Sequence, residues 1–271
     1  MNDVTTVPQS GNENDERLSL SATTTPLDIL DEDCLLEVFE YLNFDELLLA
    51  SRVCFKFLQL SRQRLRKIRH FQLDYRALLM RKDDPLNRVK DIFTNVGPSM
   101  CAFKFSGGFI MNEPLKRSII DNITLNCSNL QHLTLNYIEL SAEHLTALKP
   151  LLQQLKGLDL GRCALKDETF GQFVGAASEL RFLAIPGNAE LDGSFLEMWH
   201  SCSLLELLDV SYCYSLNVGS IESFLVRAVK LRGVDVTACQ WLQKDKQIFN
   251  ACNRNIELCI ELPEFSYYKN A

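Results

Sequence analysis

The second half of the chain repeats one six-residue pattern at an almost constant interval, and a fixed period constrains the architecture more than any other sequence feature. The pattern is Leu-x-x-Leu-x-Leu, with apolar residues at positions one, four and six. Weaker units begin at Ile68 and Met100, and a last one includes Ile260. Residues 68–262 are therefore predicted to form about seven or eight similar units. First positions of the clear units are 25, 25, 25 and 26 residues apart, at Leu130, Leu155, Leu180, Leu205 and Leu231.

Each unit is predicted to contain one short strand and one returning helix. Positions four and six point to the same side of a strand, because side chains alternate with a period of two. The rest of the unit has helical spacing, as in the run with Leu145, Leu148 and Leu152 that follows Ser141. One unit cannot bury its apolar face alone, so neighbouring units stack. We expect an α/β fold in which a curved, right-handed solenoid carries parallel strands on its concave face and helices on its convex face.

The ninth position of the unit is also regular, since it is Cys163, Asn188, Cys213 and Cys239 in successive repeats. With its period and strand pattern, the chain resembles leucine-rich repeat proteins of the cysteine-containing subclass. Cysteine or asparagine at this position can bond to the turn backbone of the coil, so these thiols are expected to be buried and inert. A metal or redox site is the alternative, although the ten cysteines include no Cys-x-x-Cys pair.

Residues 1–25 differ from the rest of the chain, because they are rich in Ser, Thr, Asn and acidic residues and contain no aromatic residue. They are predicted to form a disordered tail, since they cannot bury enough apolar surface to offset the entropy of ordering. From Pro26 onward the pattern predicts two short helices, one starting near Asp31 and one near Asn43. So small a unit leaves apolar surface exposed for a partner.

Several motif residues of this region occur in order and at fixed gaps. They are Leu30, Leu35-Leu36, Phe39, Tyr41-Leu42, Asp45-x-Leu47, Val53-Cys54 and Phe57. With these features, residues 30–60 resemble an F-box, and residues 26–67 are assigned to it. Asp31 stands where that family usually has proline, and Phe57 stands where it usually has tryptophan. The resemblance implies docking onto the Skp adaptor and, through it, onto the cullin and RING subunits of a ubiquitin ligase. The residues expected to contact the adaptor are Leu30, Leu35, Leu36, Phe39, Leu42, Leu47, Leu48, Val53, Cys54 and Phe57.

Two other interpretations of this region stay open. The helices could instead cap the first coil of the solenoid. The run at residues 62–69 holds five cations in eight residues, and such a run can be a nuclear address or a nucleic-acid patch. We favour a solvated helix face that balances the acidic residues before it.

The composition disfavours several classes of function. A net charge of −7 argues against general binding to nucleic acid or to anionic membranes. The longest uncharged stretch, residues 122–138, is rich in Asn, Thr and Ser and is too polar to span a membrane. The start of the chain lacks the pattern of a signal peptide, so we expect a cytoplasmic or nuclear protein without disulfides.

No catalytic, metal or cofactor site is expected. None of the four histidines, His70, His132, His144 and His200, has a neighbour at metal-binding spacing. The chain also lacks a Gly-rich phosphate loop, a Gly-x-Ser-x-Gly elbow and a His-Glu-x-x-His motif. We therefore expect a protein that is not an enzyme and that needs no metal ion or cofactor.

A protein substrate is expected on the concave face, where the third, fifth and seventh positions of each unit project. The fifth-position column becomes acidic towards its end, and Phe182 and Leu207 add an apolar hot spot. A basic segment with an apolar anchor would suit this surface, but the aspartates could equally be structural. The segment at residues 263–271 would cap the last coil or join this surface. The predicted substrate-binding residues are His132, Thr134, Asp159, Phe182, Leu207, Asp209 and Asp235.

These features together predict a substrate-recognition subunit of a Skp–cullin–F-box ubiquitin ligase, which promotes proteasomal degradation. Such a subunit acts by position, because it raises the effective concentration of its substrate near the ubiquitin-charged enzyme. The competing hypothesis is a non-catalytic scaffold, in which the F-box caps the solenoid or binds the adaptor outside a ligase.

Overall fold

The computed structural model describes residues 30–108, 110–239 and 256–258. The predictions for residues 1–25, for the unit around Ile260 and for residues 263–271 lie outside the described residues. None of the helices in these ranges combines the length and the apolar composition that a membrane span requires. A helical N-terminal segment precedes a parallel sheet with helices, which is the predicted fold class.

Three helices, rather than the predicted two, form the N-terminal segment. Asn43 and Glu46 form a capping box at the start of the second helix, as the sequence pattern predicted. The prediction of two helices is wrong, because the helix that begins after Asn43 ends at Ala50 and is capped by Ser51, whose hydroxyl donates a hydrogen bond to the Leu48 carbonyl. Cys54 then adopts extended backbone before the third helix begins. The helices are α1 (Glu32–Glu40), α2 (Phe44–Ala50) and α3 (Phe55–Leu65).

The described remainder of the chain forms one parallel sheet whose strands pair in chain order. Parallel pairing of consecutive strands requires every unit to return to the same end of the sheet, as the coils of a solenoid do. This order confirms the predicted α/β solenoid. The strands are β1 (His70–Asp74), β2 (Ala102–Ser106), β3 (His132–Asn136), β4 (Gly157–Asp159), β5 (Phe182–Ala184), β6 (Leu207–Asp209), β7 (Gly233–Asp235) and β8 (Glu257–Leu258).

The helices that return between strands form a second layer. From α5 to α10, each helix packs against the next one along the chain. Short 3₁₀ turns follow three of them, at Gly97–Ser99, Lys149–Gln153 and Cys202–Leu204. The helices of this layer are α4 (Tyr75–Leu79), α5 (Pro85–Val96), α6 (Glu113–Asn126), α7 (Ala142–Leu148), α8 (Asp167–Val174), α9 (Ser194–Met198) and α10 (Val218–Arg227).

The core lies between the strand layer and the helix layer. The fourth and sixth positions of the clear repeat units are fully buried, from Leu133 in β3 to Val236 after β7. Burying one such side chain contributes about 1.5–3 kcal/mol. Aromatic rings fill the helix side of neighbouring coils, and those of Phe170 and Phe195 have centroids 5.0 Å apart. Each coil therefore covers apolar surface of the next.

The ninth position of the repeat links adjacent coils through hydrogen bonds. Asn188 is buried, and its Oδ1 accepts from the backbone N–H groups of Cys163 and Leu165. Its Nδ2 donates to the carbonyls of Leu160 and Ile185, at 2.9 Å and 2.8 Å. One side chain therefore satisfies four buried backbone groups in two coils.

The cysteines at the same position form further hydrogen bonds between adjacent coils. We call the series formed by Asn188 and these cysteines the hydrogen-bond ladder. The thiols of Cys163, Cys213 and Cys239 each donate to a backbone carbonyl of the preceding coil. Burial raises the pKa of Cys213 to about 12 and that of Cys239 to about 11, and it raises the pKa of Cys163 as well. These thiols stay protonated, and a protonated thiol is a poor nucleophile and metal ligand. The described ranges contain no group of three or more side chains placed to hold a metal ion.

Candidate functional site

The side of the sheet that faces away from the core presents the predicted columns of side chains. His132, Phe182 and Leu207 lie in one column, two residues before the fifth-position column. The predicted substrate-binding residues therefore share one face of the sheet. Strand register places the fifth-position residues side by side in the order Gln72, Lys104, Thr134, Asp159, Ala184, Asp209 and Asp235.

Three of the predicted substrate-binding side chains are not open to a partner. Thr134 is 1% exposed, Leu207 is 2% exposed and His132 is 9% exposed. Leu207 is the register partner of half-buried Phe182, and paired strands lie about 4.8 Å apart, so the two side chains cover each other. Thr134 is a short side chain between two longer ones in its column. The prediction that Leu207 is an exposed hot spot is wrong, and His132 and Thr134 are likewise packed rather than presented.

The aspartates of the acidic column are bound to the turns that follow their strands. Asp159 accepts hydrogen bonds from the Gly161 N–H at 3.1 Å and from the Asn136 side-chain amide at 3.0 Å. Asp209 and Asp235 each accept at 2.8 Å from the N–H two residues further on. Burial raises the pKa of Asp159 to about 6 and raises that of Asp209. These contacts favour the structural interpretation, and a role in attracting a basic substrate stays a prediction.

A chain of serine, histidine and carboxylate, which the sequence reasoning missed, lies between α6 and α7. His144 Nε2 is 2.6 Å from Glu113 Oε1, and His144 Nδ1 is 3.1 Å from both the hydroxyl and the backbone nitrogen of Ser141. Because that backbone N–H can only donate, Nδ1 is an acceptor and Nε2 carries the proton. Ser141 caps α7 and His144 is buried. The arrangement is therefore a capping box extended to α6, and its only sequence signal was the three-residue spacing.

The N-terminal helices divide their apolar residues between their own core and the surface. Leu35, Phe39 and Leu47 are at most 2% exposed. The Phe39 ring meets Phe57 edge-on, with centroids 5.2 Å apart. The prediction that these three buried residues contact an adaptor directly is wrong, because a third helix closes around them.

The other predicted adaptor contacts are more accessible. Leu36, Leu42, Leu48 and Phe57 are half-buried, while Leu30, Val53 and Cys54 are exposed. Their contact with an adaptor stays a prediction.

The predicted adaptor contacts leave out four exposed apolar residues of the same region, although Tyr41 was among the motif features. They are Val38, Tyr41, Leu49 and Phe55, with exposed fractions of 54%, 84%, 64% and 72%. The signal for Leu49 was present, because Leu47, Leu48 and Leu49 are consecutive. Successive residues of a helix are about 100° apart, so three in a row cannot all face one core.

A family model for the F-box domain matches residues 27–69. The chain contains an F-box domain. Among solved structures, it is similar to a chain of the "Crystal structure of Rad7 and Elc1 complex in yeast", with 15% identity and a TM-score of 0.30. The match covers 55% of this chain and 54% of that chain, so this protein aligns with about half of the solved one. A similarity this weak supports no functional conclusion, and none of the curated proteins matches the chain.

The F-box is fixed to the start of the solenoid by a cluster around α2. The Phe44 ring meets Phe71 of β1 with centroids 5.5 Å apart, and the Arg88 guanidinium lies 4.7 Å from the centre of the Phe44 ring. Asp45 forms ion pairs with Arg81, at 2.6 Å, and with Arg88 of α5. These contacts hold the F-box in one orientation, so a partner bound to it would have a defined position relative to the sheet.

Proposed function

We propose that this protein is the substrate-recognition subunit of a Skp–cullin–F-box ubiquitin ligase. The F-box binds the Skp adaptor and, through it, the cullin and RING subunits. The leucine-rich repeat solenoid binds a protein substrate, which is then ubiquitinated and degraded by the proteasome. The observation that carries this proposal is that the matched F-box keeps large apolar side chains in water.

The F-box concentrates its exposed apolar residues, because Val38, Tyr41, Leu49, Val53 and Phe55 all belong to one small helical domain. Apolar surface concentrated in this way is typical of an interaction site. Covering apolar surface contributes about 25 cal/mol per Å². A few side chains that are buried completely at an interface supply most of its binding energy. Half-buried Leu36, Leu42 and Leu48 of the same helices would extend the contact.

The chemistry of this function is positional. A bound substrate experiences a high effective concentration of the ubiquitin-charged enzyme, and no catalytic group of this chain takes part. We place the protein in the cytoplasm or nucleus. The eight cysteines in the described chain are free thiols, which suits a reducing compartment.

The test compares two pairs of charge substitutions on exposed aliphatic residues. Leu49→Asp with Val53→Asp should abolish co-purification with the Skp adaptor, because two carboxylates would have to be desolvated at the interface. Val226→Asp with Val229→Asp is the matched control, since both residues are exposed at the other end of the chain. Equal adaptor recovery with both pairs would contradict the proposal.

A scaffold is the second candidate, and the cluster of Phe44, Asp45 and Arg88 favours it, because the F-box packs on the first strand as an end cap would. Cullin recovery in the same pull-down separates the two functions. Adaptor without cullin would support the scaffold. Adaptor with cullin, together with ubiquitin transfer in the purified complex, would support the ligase.

A further inference from the structure

A groove of about 590 Å³ lies where the F-box meets the first strand of the solenoid. We call it the junction groove. Its walls are the turn between α1 and α2, the end of α3 and the strand β1. The lining residues that matter for the argument are Leu42, Phe44, Arg64, Lys67, Arg69 and Gln72.

The junction groove is basic, although the protein has a net charge of −7. Arg64, Lys67 and Arg69 line it, and Glu40 is the one acidic residue among its described lining residues. Glu40 reaches Arg64 at 3.8 Å, while Arg69 donates to the Ser99 carbonyl at 3.0 Å. Lys67 has no acidic partner in the part of the chain that the structure describes. The groove therefore offers Lys67 and Arg69 as cations without a carboxylate.

The floor of the junction groove is apolar. Leu42, Phe44, Ile68 and Phe71 line it and are half-buried against the hydrophobic core. An apolar side chain of a ligand would be buried from water on this floor, whereas the cations above it would stay partly solvated. A ligand that suits the groove therefore combines negative charge with an apolar side chain.

One wall of the junction groove is an open sheet edge. β1 is the first strand of the sheet, and among the described residues it pairs with β2 alone. The Arg69 carbonyl accepts from Ala102 on the β2 side. Backbone direction alternates along a strand, so Gln72, three residues further on, directs its N–H and C=O away from β2. An extended peptide can add to such an edge through main-chain hydrogen bonds.

We propose that the junction groove binds an extended acidic segment of a substrate protein, which lies beside β1. Its carboxylates pair with Lys67 and Arg69, and one apolar side chain rests on the floor at Ile68 and Phe71. This inference rests on the proposed function, since it names the class of segment that the receptor would recognise. It also places recognition beside the adaptor-binding domain rather than on the acidic column of the sheet.

A peptide fits these features better than a nucleic acid does. The open edge of β1 offers main-chain donors and acceptors, which a peptide backbone complements. Nucleic-acid binding relies on many phosphate contacts along a cationic surface, whereas this groove presents three arginine or lysine side chains over an apolar floor.

The test measures fluorescence anisotropy of a labelled peptide, Glu-Glu-Leu-Glu-Leu-Glu-Glu, with the full chain bound to the Skp adaptor. Lys67→Glu with Arg69→Glu should weaken binding about tenfold or more, because two attractive charges become repulsive. The matched control is Lys149→Glu with Lys230→Glu, since both lysines are exposed elsewhere and the net charge changes equally. The control should stay within about twofold of the wild type. Lys67→Glu alone, which leaves the Arg69 contact to Ser99 in place, should give part of the loss.

Four results would overturn the inference. The first is equal weakening of peptide binding in both double variants, and the second is equal affinity of the wild type for a Lys-Leu peptide or for oligo-uridine RNA. The third is peptide binding to the free chain but not to the adaptor complex. The fourth is peptide binding that appears only after residues 1–25 are removed. The last result would assign the groove to the N-terminal residues of this chain. Wild-type protein that holds the adaptor but not the peptide would refute this inference alone, whereas loss of the adaptor itself would count against the proposed function.

Discussion

The F-box and the solenoid differ in how they build an apolar core. In the solenoid, each coil covers the apolar side chains of the next, so Leu183 and Phe195 are fully buried. In the F-box, helices of 9, 7 and 11 residues bury one side each, and Leu49 and Phe55 stay in water. A repeat extends its core by stacking, whereas three short helices cannot. The described solenoid also leaves some apolar side chains in water, such as Leu125 and Val226, but the F-box carries Val38, Tyr41, Leu49, Val53 and Phe55 on or beside three short helices. We infer that this concentration of apolar surface is what a partner covers.

The largest expected effect on stability distinguishes a buried leucine of the solenoid from an exposed leucine of the F-box. Leu183→Ala should lower the free energy of unfolding by about 2–5 kcal/mol, because it leaves a cavity between the layers. Leu49→Ala should change it by less than about 0.5 kcal/mol, because that side chain is already solvated. Urea denaturation followed by circular dichroism measures both. Similar losses for the two variants would break the comparison.

The hydrogen-bond ladder predicts the next largest effect. Asn188→Ala should cost about 2–3 kcal/mol, because the buried N–H groups of Cys163 and Leu165 would lose their acceptor. Glu190→Ala is the control, since Glu190 is exposed two residues further on. Thermal unfolding of both variants checks this prediction. Equal unfolding midpoints for the two variants would show that the hydrogen bonds of Asn188 do not stabilise the fold.

A smaller effect concerns the contact between the two regions. Asp45→Ala should cost about 1–2 kcal/mol, because it leaves the mostly buried Arg88 without its carboxylate. The loss should appear in the F-box, whose helices should exchange amide hydrogens faster while the strands do not. Asp91→Ala, an exposed change on the helix that carries Arg88, should leave both rates unchanged. Faster exchange throughout the solenoid would show that the cluster is not a local contact.

The smallest effect tests whether the acidic column is structural. The carboxyl of Asp159 has a pKa of about 6 in the folded chain and about 3.9 in an unfolded one, so the folded state binds the proton more tightly. Its contribution to stability is therefore present below about pH 4 and is lost as the pH rises through about 6. Asp159→Asn should flatten the change in the free energy of unfolding across this window, by on the order of 1 kcal/mol. Urea titrations at several pH values measure it, and an unaltered slope would contradict the assignment.

The arrangement of the sheet could be predicted from the sequence because the repeat has a constant period. Residues at the same position of successive units must become register partners, and Thr134, Asp159 and Asp209 do share one column. The ladder followed from the same counting, since Asn188 and Cys213 are one unit apart.

Burial could not be predicted in the same way, because a period shows which residues share a face but not what covers that face. Leu207 shares a face with the aspartates, yet its register partner Phe182 helps to seal it. Phe39 lies at a motif position, yet Phe57 packs on it within the F-box. The junction groove was missed for a related reason, because Leu42 and Arg69 come together through the fold.

Hydrogen–deuterium exchange of the full chain, with and without the Skp adaptor, tests the central claim most directly. The adaptor should slow exchange in α1, α2 and the start of α3, where the exposed apolar side chains lie, and should leave the strands from β3 to β7 unchanged. Unaltered exchange in the F-box at saturating adaptor, or slowing confined to the solenoid, would contradict the account.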